Sequence, residues 1–257
     1  MLERHGWEKF QFDPNIANWA KAAHHAGCKV LANQMMRAKW LQCEGTWFVG
    51  VDVLPSSKSG EIGGMPLHGE VIKRLSHILT KPFHRAQLSV IYGGYPKPRK
   101  GESTGAFKYR LKRDAAHVDG LLPVGKARRR MLKEPHAYIL GIPLNVTSSD
   151  ASPLVVWEGS HNIMGEYFQQ AFKGIDPSSF DKIDLTETYH AARRSIFQTC
   201  PRVEVHARPG ESYVIHRLAL HGVAPWAYRA TAPKEGRMIA YLRPELKNIS
   251  LWPYLKW

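Results

Sequence analysis

Short runs of apolar residues, some of them alternating with polar ones, recur along most of the chain and predict a protein built mainly of β-strands. The predicted strands cover 47–53, 87–92, 137–144, 154–157, 203–206, 212–215 and 238–242. Short strands joined by turns favour two facing sheets, the arrangement of a double-stranded β-helix, that is, a jelly-roll or cupin-like barrel. We therefore expect a mainly β fold with flanking helices.

Helical spacing of the apolar residues occurs in three regions. Asp13-Pro14 is a capping pair, and apolar residues then recur at helical spacing up to about Gly27. A second amphipathic helix is predicted over 67–79, and a helical insertion over about 160–197. Within the insertion, Ser160 is predicted to be the N-cap of a helix that runs through Phe172.

The whole chain, 1–257, is expected to form one domain. Within it we expect a mainly helical scaffold over 1–86, packed on the barrel, and a jelly-roll core over 87–244. The tail, 245–257, is apolar enough to dock on this chain or on a second subunit. The segment 93–113, rich in Pro, Gly, Lys and Arg, is predicted to be a long loop or lid. A chain of 257 residues with 44% hydrophobic content can bury a core of this size.

The chain is strongly basic, with 36 Lys and Arg residues against 22 Asp and Glu residues and a formal net charge of +14. Many of these cations lie in two clusters, 97–113 and 126–133. Such clusters favour an anionic small-molecule substrate, which their potential would concentrate, or else they are solvated loops. Nucleic acid is a less favoured partner, because no helix-turn-helix, zinc-finger or ribonucleoprotein motif is present.

The expected location follows from what the sequence lacks. No apolar run approaches the length of a membrane span, and the first residues lack a signal-peptide core. The three cysteines, Cys28, Cys43 and Cys200, show no paired spacing, which is typical of a reducing compartment. We expect a soluble, cytoplasmic protein with no membrane partner.

The candidate chemistry lies in Ala116-His-Val-Asp-Gly120 and in Leu220-His-Gly222. On an extended chain alternate side chains point the same way, so His117 and Asp119 can reach one metal ion and His221 can be the third ligand. Two imidazoles and one carboxylate on one face of a ferrous ion leave three positions for water, a co-substrate and dioxygen. Zinc fits less well, because catalytic zinc usually has three protein ligands in a tetrahedral frame.

Each of these residues also has a plain structural interpretation. A His-x-Asp tripeptide can arise by chance in a chain with 13 histidines, and His117 is then a loop residue bonded to Asp119. His216 competes with His221, but residues five apart on a straight strand face opposite sides and cannot share a metal ion. We expect His161 to be structural or to lie beside the site, and Asp150 to be a turn residue.

From about residue 87 to residue 244 the chain resembles the phytanoyl-CoA dioxygenase-like family of iron and 2-oxoglutarate-dependent oxygenases. The resemblance rests on ordered blocks, which are Gln87-Leu-Ser-Val-Ile-Tyr92, Ala116-His-Val-Asp-Gly120, Leu140-Gly-Ile-Pro-Leu144, Ser152-Pro-Leu-Val-Val-Trp-Glu-Gly-Ser-His161, Pro209-Gly-Glu-Ser-Tyr-Val-Ile215 and Leu220-His-Gly222. Several separate blocks in the right order are more specific than any one of them. The resemblance implies that His117, Asp119 and His221 ligate Fe(II), with 2-oxoglutarate as co-substrate and O2 as oxidant.

The family also uses an arginine after the distal histidine to hold the far carboxylate of 2-oxoglutarate. Arg237 fits this role by its place at the start of a predicted strand, and a planar guanidinium can meet a carboxylate with two parallel hydrogen bonds. Arg229 and Arg243 are the alternatives. The chain departs from the family at Val223, two positions after the distal histidine, where many members carry a hydroxyl residue that helps to hold the co-substrate.

The resemblance implies oxidative decarboxylation of 2-oxoglutarate to succinate, coupled to hydroxylation of a small organic substrate. Related halogenases lack the carboxylate ligand, so the presence of Asp119 favours hydroxylation. Two alternatives stay open, a jelly-roll binding protein without turnover and a basic nucleic-acid-binding protein. The identity of the substrate and the oligomeric state are not indicated by the sequence.

Overall fold

The computed structural model describes residues 1–78 and 80–256. Seven antiparallel strands form the main sheet, in the spatial order β1 (Trp7–Phe10), β10 (Ser212–His216), β7 (Tyr138–Pro143), β12 (Arg237–Leu242), β4 (Gln87–Ile91), β3 (Trp47–Gly50) and β2 (Leu41–Gln42). A smaller antiparallel sheet has the order β11 (His221–Val223), β8 (Leu154–Trp157) and β9 (Arg202–Val205). The strands β5 (Leu121–Val124) and β6 (Arg129–Leu132) pair as a separate hairpin.

The two larger sheets face each other across an apolar core. This inter-sheet core is formed by Ile139, Leu154, Val156, Val205, Tyr213, Ile215, Ala219 and Ile239. Because side chains alternate along a strand, β12 presents Ile239 to this core, while Met238 and Ala240 point to the opposite face and join the larger core under the helices. The inter-sheet face of β12 therefore also carries its odd-numbered residues Arg237 and Tyr241.

Helices cover the outside of the sheets. They are α1 (Leu2–His5), α2 (Pro14–Ala32), α3 (Gln34–Trp40), α4 (Glu70–Leu75), α5 (Thr104–Lys112), α6 (Ser160–Phe172) and α7 (Thr186–Thr199), with 3₁₀ turns at Pro177–Lys182 and Ile249–Leu251. Helix α2 begins where the capping pair predicts, because the Asp13 carboxylate accepts a hydrogen bond from the Asn15 N–H at 2.8 Å. It packs closely on the main sheet, since a Cβ on Gly27 would lie 2.8 Å from the Met238 side chain.

Most predicted strands and the helical insertion are found near their predicted positions, and the differences have local causes. The segment 93–113 is not all loop, because α5 forms there with the Ser103 hydroxyl accepting from the Ala106 N–H. The prediction of Ser160 as an N-cap was wrong. Gly159 occupies the cap, and the Ser160 hydroxyl instead accepts from the Leu220 N–H at 2.9 Å. Helix α4 is shorter than the predicted 67–79, of which Leu79 lies outside the described residues.

The segment 1–86 is more than a helical scaffold, because its strands β1, β2 and β3 extend the main sheet at both edges. The tail docks on this same chain as far as it is described, and Trp257 lies outside that part. Trp252 is fully buried, and the buried guanidinium of Arg217 donates to the backbone carbonyls of Trp252 and Leu255. Within residues 1–78 and 80–256, no helix has the length and apolar character needed to cross a membrane.

Candidate metal centre

The two candidate histidines are locked side by side by the backbone. The N–H of His117 donates to the carbonyl of His221 at 2.8 Å, and the N–H of His221 donates to the carbonyl of His117 at 3.0 Å. This reciprocal pair places both residues opposite each other on an antiparallel ladder, so their side chains project to the same face. The ring centroids lie 4.6 Å apart as a result. A separation of about a hundred residues in sequence is thereby closed by one pair of backbone hydrogen bonds.

Asp119 completes a three-residue cluster. Its Oδ1 lies 3.1 Å from Nε2 of His117 and 3.9 Å from Nε2 of His221. One ligand atom from each of the three side chains lies within 4.8 Å of the other two, and this is the only such group of three found in the described part of the chain. Two imidazole nitrogens and a carboxylate oxygen that converge in this way can hold one divalent metal ion.

Both imidazoles are oriented with Nε2 towards the common point. Nδ1 of His117 lies 3.0 Å from the carbonyl of Ala115, and Nδ1 of His221 lies 2.9 Å from the carbonyl of Ala219. A carbonyl oxygen beside Nδ1 accepts a hydrogen bond, so the ring proton lies on Nδ1. The lone pair of Nε2 is then free to bind a metal ion. Burial lowers the pKa of His221 to about 4, with the neighbouring His117 acting in the same direction. The His221 ring is therefore neutral near pH 7, as a metal ligand must be.

The carboxylate of Asp119 is held from behind by Arg243. Nη1 of Arg243 donates to Oδ2 of Asp119 at 3.1 Å, and its Nη2 donates to Oε1 of Gln87 at 2.6 Å. Burial alone would raise the pKa of Asp119, but Arg243 and the two imidazoles outweigh it and hold that pKa well below its usual range. Asp119 thus stays ionised, with Oδ2 occupied by Arg243 and Oδ1 directed to the histidines.

Helix α7 holds the segment that carries the ligands. The Tyr189 hydroxyl accepts from the N–H of Val118 at 3.3 Å, and Nη2 of Arg193 donates to the carbonyl of Ala116 at 3.1 Å. On the other side Gly222 is required by close packing, since a Cβ there would lie 2.1 Å from the carbonyl oxygen of Asp114. The helical insertion and the Leu-His-Gly segment therefore both serve to position the candidate ligands.

Two adjoining cavities open onto the cluster. The inner cavity, about 260 Å³, has mainly apolar walls that include Trp47, Ile139 and Ile215 of the main sheet. The outer cavity, about 390 Å³, lies between α5, the β5–β6 hairpin and α7. His117 and Asp119 line both cavities. The His117 side chain is 47% exposed whereas that of His221 is 8% exposed, so the cluster is open on the His117 side.

The other histidines weighed from the sequence lie elsewhere. His216 is buried at the end of β10 and packs against His161, with ring centroids 4.9 Å apart. Nε2 of His161 lies 2.9 Å from the carbonyl of Glu3. Neither residue belongs to the three-residue cluster.

The three candidate arginines have different surroundings. Arg229 is exposed in the loop after β11, and Arg243 is bonded to Asp119 and Gln87. Arg237 is buried on the inter-sheet face, and its Nη1 has no hydrogen-bond partner among the described residues. Arg237 does not line the inner cavity but lies beside Tyr213. The Tyr213 hydroxyl donates to the Tyr241 hydroxyl at 3.1 Å, and Tyr241 belongs to the cavity wall. The roles of the three ligands and of Arg237 stay predictions.

Sequence reasoning missed the residues that orient the cluster. Arg243 was weighed only as a co-substrate residue, and Tyr189 and Arg193 were not considered. A usable signal existed for Arg243, because with period-2 alternation it falls on the same side as Arg237 and Tyr241. No local pattern indicates that α7 contacts the segment around Asp119, since that contact depends on how the insertion folds back.

Comparison with known proteins supports the fold. No protein-family model matches the chain, and no curated protein matches it in sequence. Among solved structures, SnoK, a non-heme alpha ketoglutarate dependent carbocyclase from nogalamycin biosynthesis, is 12% identical with a TM-score of 0.50, over 95% of this chain and 81% of that chain. EctD from S. alaskensis with bound Fe is 14% identical over 95% and 74%, with a TM-score of 0.48. A Pseudomonas putida prolyl-4-hydroxylase is 12% identical over 96% of both chains, with a TM-score of 0.47. The expected jelly-roll fold with flanking helices is confirmed by the sheet arrangement and the likeness to SnoK.

Proposed function

We propose that this protein is an Fe(II)- and 2-oxoglutarate-dependent dioxygenase that hydroxylates a small organic substrate. The observation that carries the proposal is the convergence of His117, Asp119 and His221 at the mouth of a cavity inside a jelly-roll fold. The donor set suits ferrous iron, because two neutral imidazoles and one carboxylate occupy one face of the ion and leave the other positions free. SnoK, a solved structure with the same fold, is itself described as non-heme and alpha ketoglutarate dependent.

The three side chains would hold the metal ion with Nε2 of His117, Nε2 of His221 and Oδ1 of Asp119. When bound, the ion and 2-oxoglutarate supply the activation of dioxygen, and the protein supplies binding and orientation. Arg243 keeps the carboxylate ionised and fixes which oxygen faces the ion, while the carbonyls of Ala115 and Ala219 fix the imidazole tautomers. The apolar walls of the inner cavity limit access of water on the buried His221 side of the cluster.

The far carboxylate of 2-oxoglutarate is assigned to Arg237 in this proposal. Support comes from its unpartnered Nη1 in a buried position and from its place on the inter-sheet face. Tyr241 lines the inner cavity together with Val223, and its hydroxyl is the candidate to replace the one that Val223 lacks. The Tyr213 and Tyr241 hydroxyls then connect Arg237 to the cavity.

A succinate-release screen tests the function. The full chain is supplied with ferrous iron, 2-oxoglutarate and air, together with small molecules of several classes, and release of succinate is measured. The proposal expects iron-dependent succinate release that rises with at least one class. Stoichiometric ferrous binding without any release would instead indicate a metal-binding jelly-roll protein. The absence of ferrous binding would reject the proposal.

A 2-oxoglutarate titration tests the role of Arg237. The Arg237→Ala variant is expected to bind 2-oxoglutarate at least about tenfold more weakly, because a charge-assisted bidentate contact is lost. Its ferrous affinity should stay unchanged. An unaltered 2-oxoglutarate titration would reject Arg237 and favour Arg243, because Arg229 is exposed in a loop.

A further inference from the structure

The outer cavity carries an excess of positive charge that the protein does not neutralise. Six arginines and two acidic residues line it, with no lysine among them. Arg110 is paired with Glu102 through two hydrogen bonds of 2.8 and 2.7 Å, and Arg243 is paired with Asp119. The second acidic residue of the wall, Glu134, is paired with His136. The other four arginines form no ion pair with any carboxylate in the part of the chain that the structure describes, and these are Arg99, Arg113, Arg130 and Arg193.

Two of the unpaired arginines share one aromatic ring. The guanidinium carbon of Arg113 lies 4.2 Å from the ring centroid of Phe197, and that of Arg193 lies 5.4 Å from the same centroid. Arg193 also lies 5.3 Å from the Tyr189 ring and donates to the carbonyl of Ala116. The two guanidinium groups are therefore held by aromatic contacts, which orient them without neutralising their charge.

This arrangement is costly for the protein in the absence of a ligand. Two like charges beside one ring repel each other, and the Nε atoms of both Arg113 and Arg193 are buried without a hydrogen-bond partner among the described residues. An anion beside them in the cavity would offset their positive charge. Arginine is suited to this, because its planar fork binds a carboxylate or phosphate through two parallel hydrogen bonds.

We propose that Arg113 and Arg193 form an anion-binding site that holds a phosphate or carboxylate group of the substrate in the outer cavity. The inference rests on the proposed function, since it assigns a substrate class to the same site. His117 lines this cavity together with both arginines. A small molecule anchored by its anionic group would thus extend its remaining part towards the metal centre. Arg99 and Arg130 raise the positive potential at the mouth of the cavity.

Calorimetric titration of the full chain with inorganic phosphate and, separately, with malonate tests the anion site. The titrations are run at low salt on the metal-free protein, and again without oxygen with ferrous iron and saturating 2-oxoglutarate, so that the co-substrate does not compete for the probe. The proposal expects binding of at least one probe under both conditions. Stronger binding of phosphate than of malonate would assign a phosphorylated substrate, and the reverse order would assign a carboxylate.

Matched variants separate a defined site from general surface charge. Arg113→Gln is expected to weaken probe binding about tenfold or more, and Arg193→Gln to do so at least as much. The control is Arg194→Gln, an exposed arginine on the same helix that does not line the cavity, and it should change the affinity by less than about twofold. Equal effects of Arg113→Gln and Arg194→Gln would overturn the site.

Three further outcomes distinguish the anion site from the proposed dioxygenase function and from nucleic-acid binding. If Arg113→Gln loses probe binding and the wild-type protein shows no iron-dependent consumption of 2-oxoglutarate, the anion site is upheld and the dioxygenase function is rejected. Succinate release that no anionic compound stimulates, with unchanged probe binding in Arg113→Gln, would uphold the function and reject the anion site. An oligonucleotide that binds at least about a hundredfold more tightly than a mononucleotide would overturn the small-molecule assignment in favour of nucleic acid.

Discussion

Among the residues that the structure describes, two pairs of histidines have nearly the same ring geometry, and only one of these pairs forms a candidate metal centre. The rings of His117 and His221 have centroids 4.6 Å apart and an interplanar angle of 51°, and those of His161 and His216 are 4.9 Å apart at 51°. We refer to them as the triad pair and the packing pair. Proximity of two imidazoles is therefore not what makes a metal site.

The charged partner of each pair is what differs. The triad pair lies beside the carboxylate of Asp119, whereas the packing pair lies beside the guanidinium of Arg217, with Nη1 of Arg217 3.5 Å from Nε2 of His216. A carboxylate adds a ligand and offsets the charge of a metal ion, but a guanidinium repels the ion and offers no ligand. The packing pair instead belongs to the arrangement that fixes the C-terminal tail.

Removal of the carboxylate beside the triad pair should cause the largest loss of activity. In Asp119→Ala we expect iron-dependent turnover of 2-oxoglutarate to fall by about a thousandfold or more, because a ligand and the counter-charge of the ion are removed together. Succinate release and ferrous uptake are the measurements.

Asp119→Ala also removes the carboxylate partner of Arg243, so a control must show that the variant still folds. Asp119→Asn keeps the shape and an acceptor for Arg243 while it removes the charge, and it should retain the fold and still lose most activity. Unchanged succinate release in both variants would refute the role assigned to Asp119.

Exchange of one histidine in each pair tests the comparison itself. We expect His221→Ala to weaken ferrous binding about a hundredfold or more, because the ion keeps only two protein ligands. His216→Asn should leave the ferrous stoichiometry unchanged and lower the free energy of unfolding by about 1–3 kcal/mol, as is usual when a buried hydrogen-bonded group is altered. Equal losses of iron in the two variants would remove the distinction between the pairs.

Arg217 should matter for stability and not for metal binding. In Arg217→Met the carbonyls of Trp252 and Leu255 lose their donors, so we expect the free energy of unfolding to fall by about 2–4 kcal/mol. Chemical denaturation measures this change, and a ferrous titration should show no difference from the wild type. A large loss of iron binding would mean that the tail supports the metal centre.

Acid should destabilise the fold through the packing pair. Burial, with Arg217 and His5 nearby, lowers the pKa of His161, and burial with Arg217 and His161 lowers that of His216 well below its usual range. In the unfolded chain both rings titrate near 6.5. Below that pH the unfolded state therefore binds protons that the buried rings of the native state do not bind. Native stability therefore decreases as pH falls below about 6.5.

A variant of His216 shows how much of this pH effect comes from the packing pair. Between pH 7 and 5.5 the free energy of unfolding should fall, and His216→Asn should show a smaller loss than the wild type over the same interval. Denaturant titrations of both metal-free proteins at the two pH values give the comparison. The same loss in both proteins would show that other groups cause the acid sensitivity.

The sequence allowed the fold to be predicted where the signals are local. Apolar runs indicated Leu154–Trp157 and the main-sheet strands β7, β10 and β12, and Asp13-Pro14 placed the start of α2. The β5–β6 hairpin was not predicted, because the turn between its strands and β6 itself carry the cationic cluster, and charge hides a strand pattern that is only half-buried. Helix α5 was missed for a similar reason, since its basic residues resemble a solvated loop.

The site was predicted to a different extent. His117, Asp119 and His221 could be named as candidates because two of them lie two residues apart in one short segment and the third lies in a Leu-His-Gly segment. The role of Arg243 behind Asp119 could not be named, because the pairing depends on the three-dimensional path of β12. The aromatic support of Arg113 and Arg193 by Phe197 was equally hidden, since it requires α5 and α7 to meet over the same cavity.

The most direct test of the metal centre is a crystal structure of the full chain loaded with ferrous iron without oxygen, with anomalous scattering recorded at the iron edge. We predict one strong iron peak within about 2.3 Å of Nε2 of His117, Nε2 of His221 and an oxygen of Asp119. An iron peak at any other position, or none at these three atoms at full iron loading, would contradict the account.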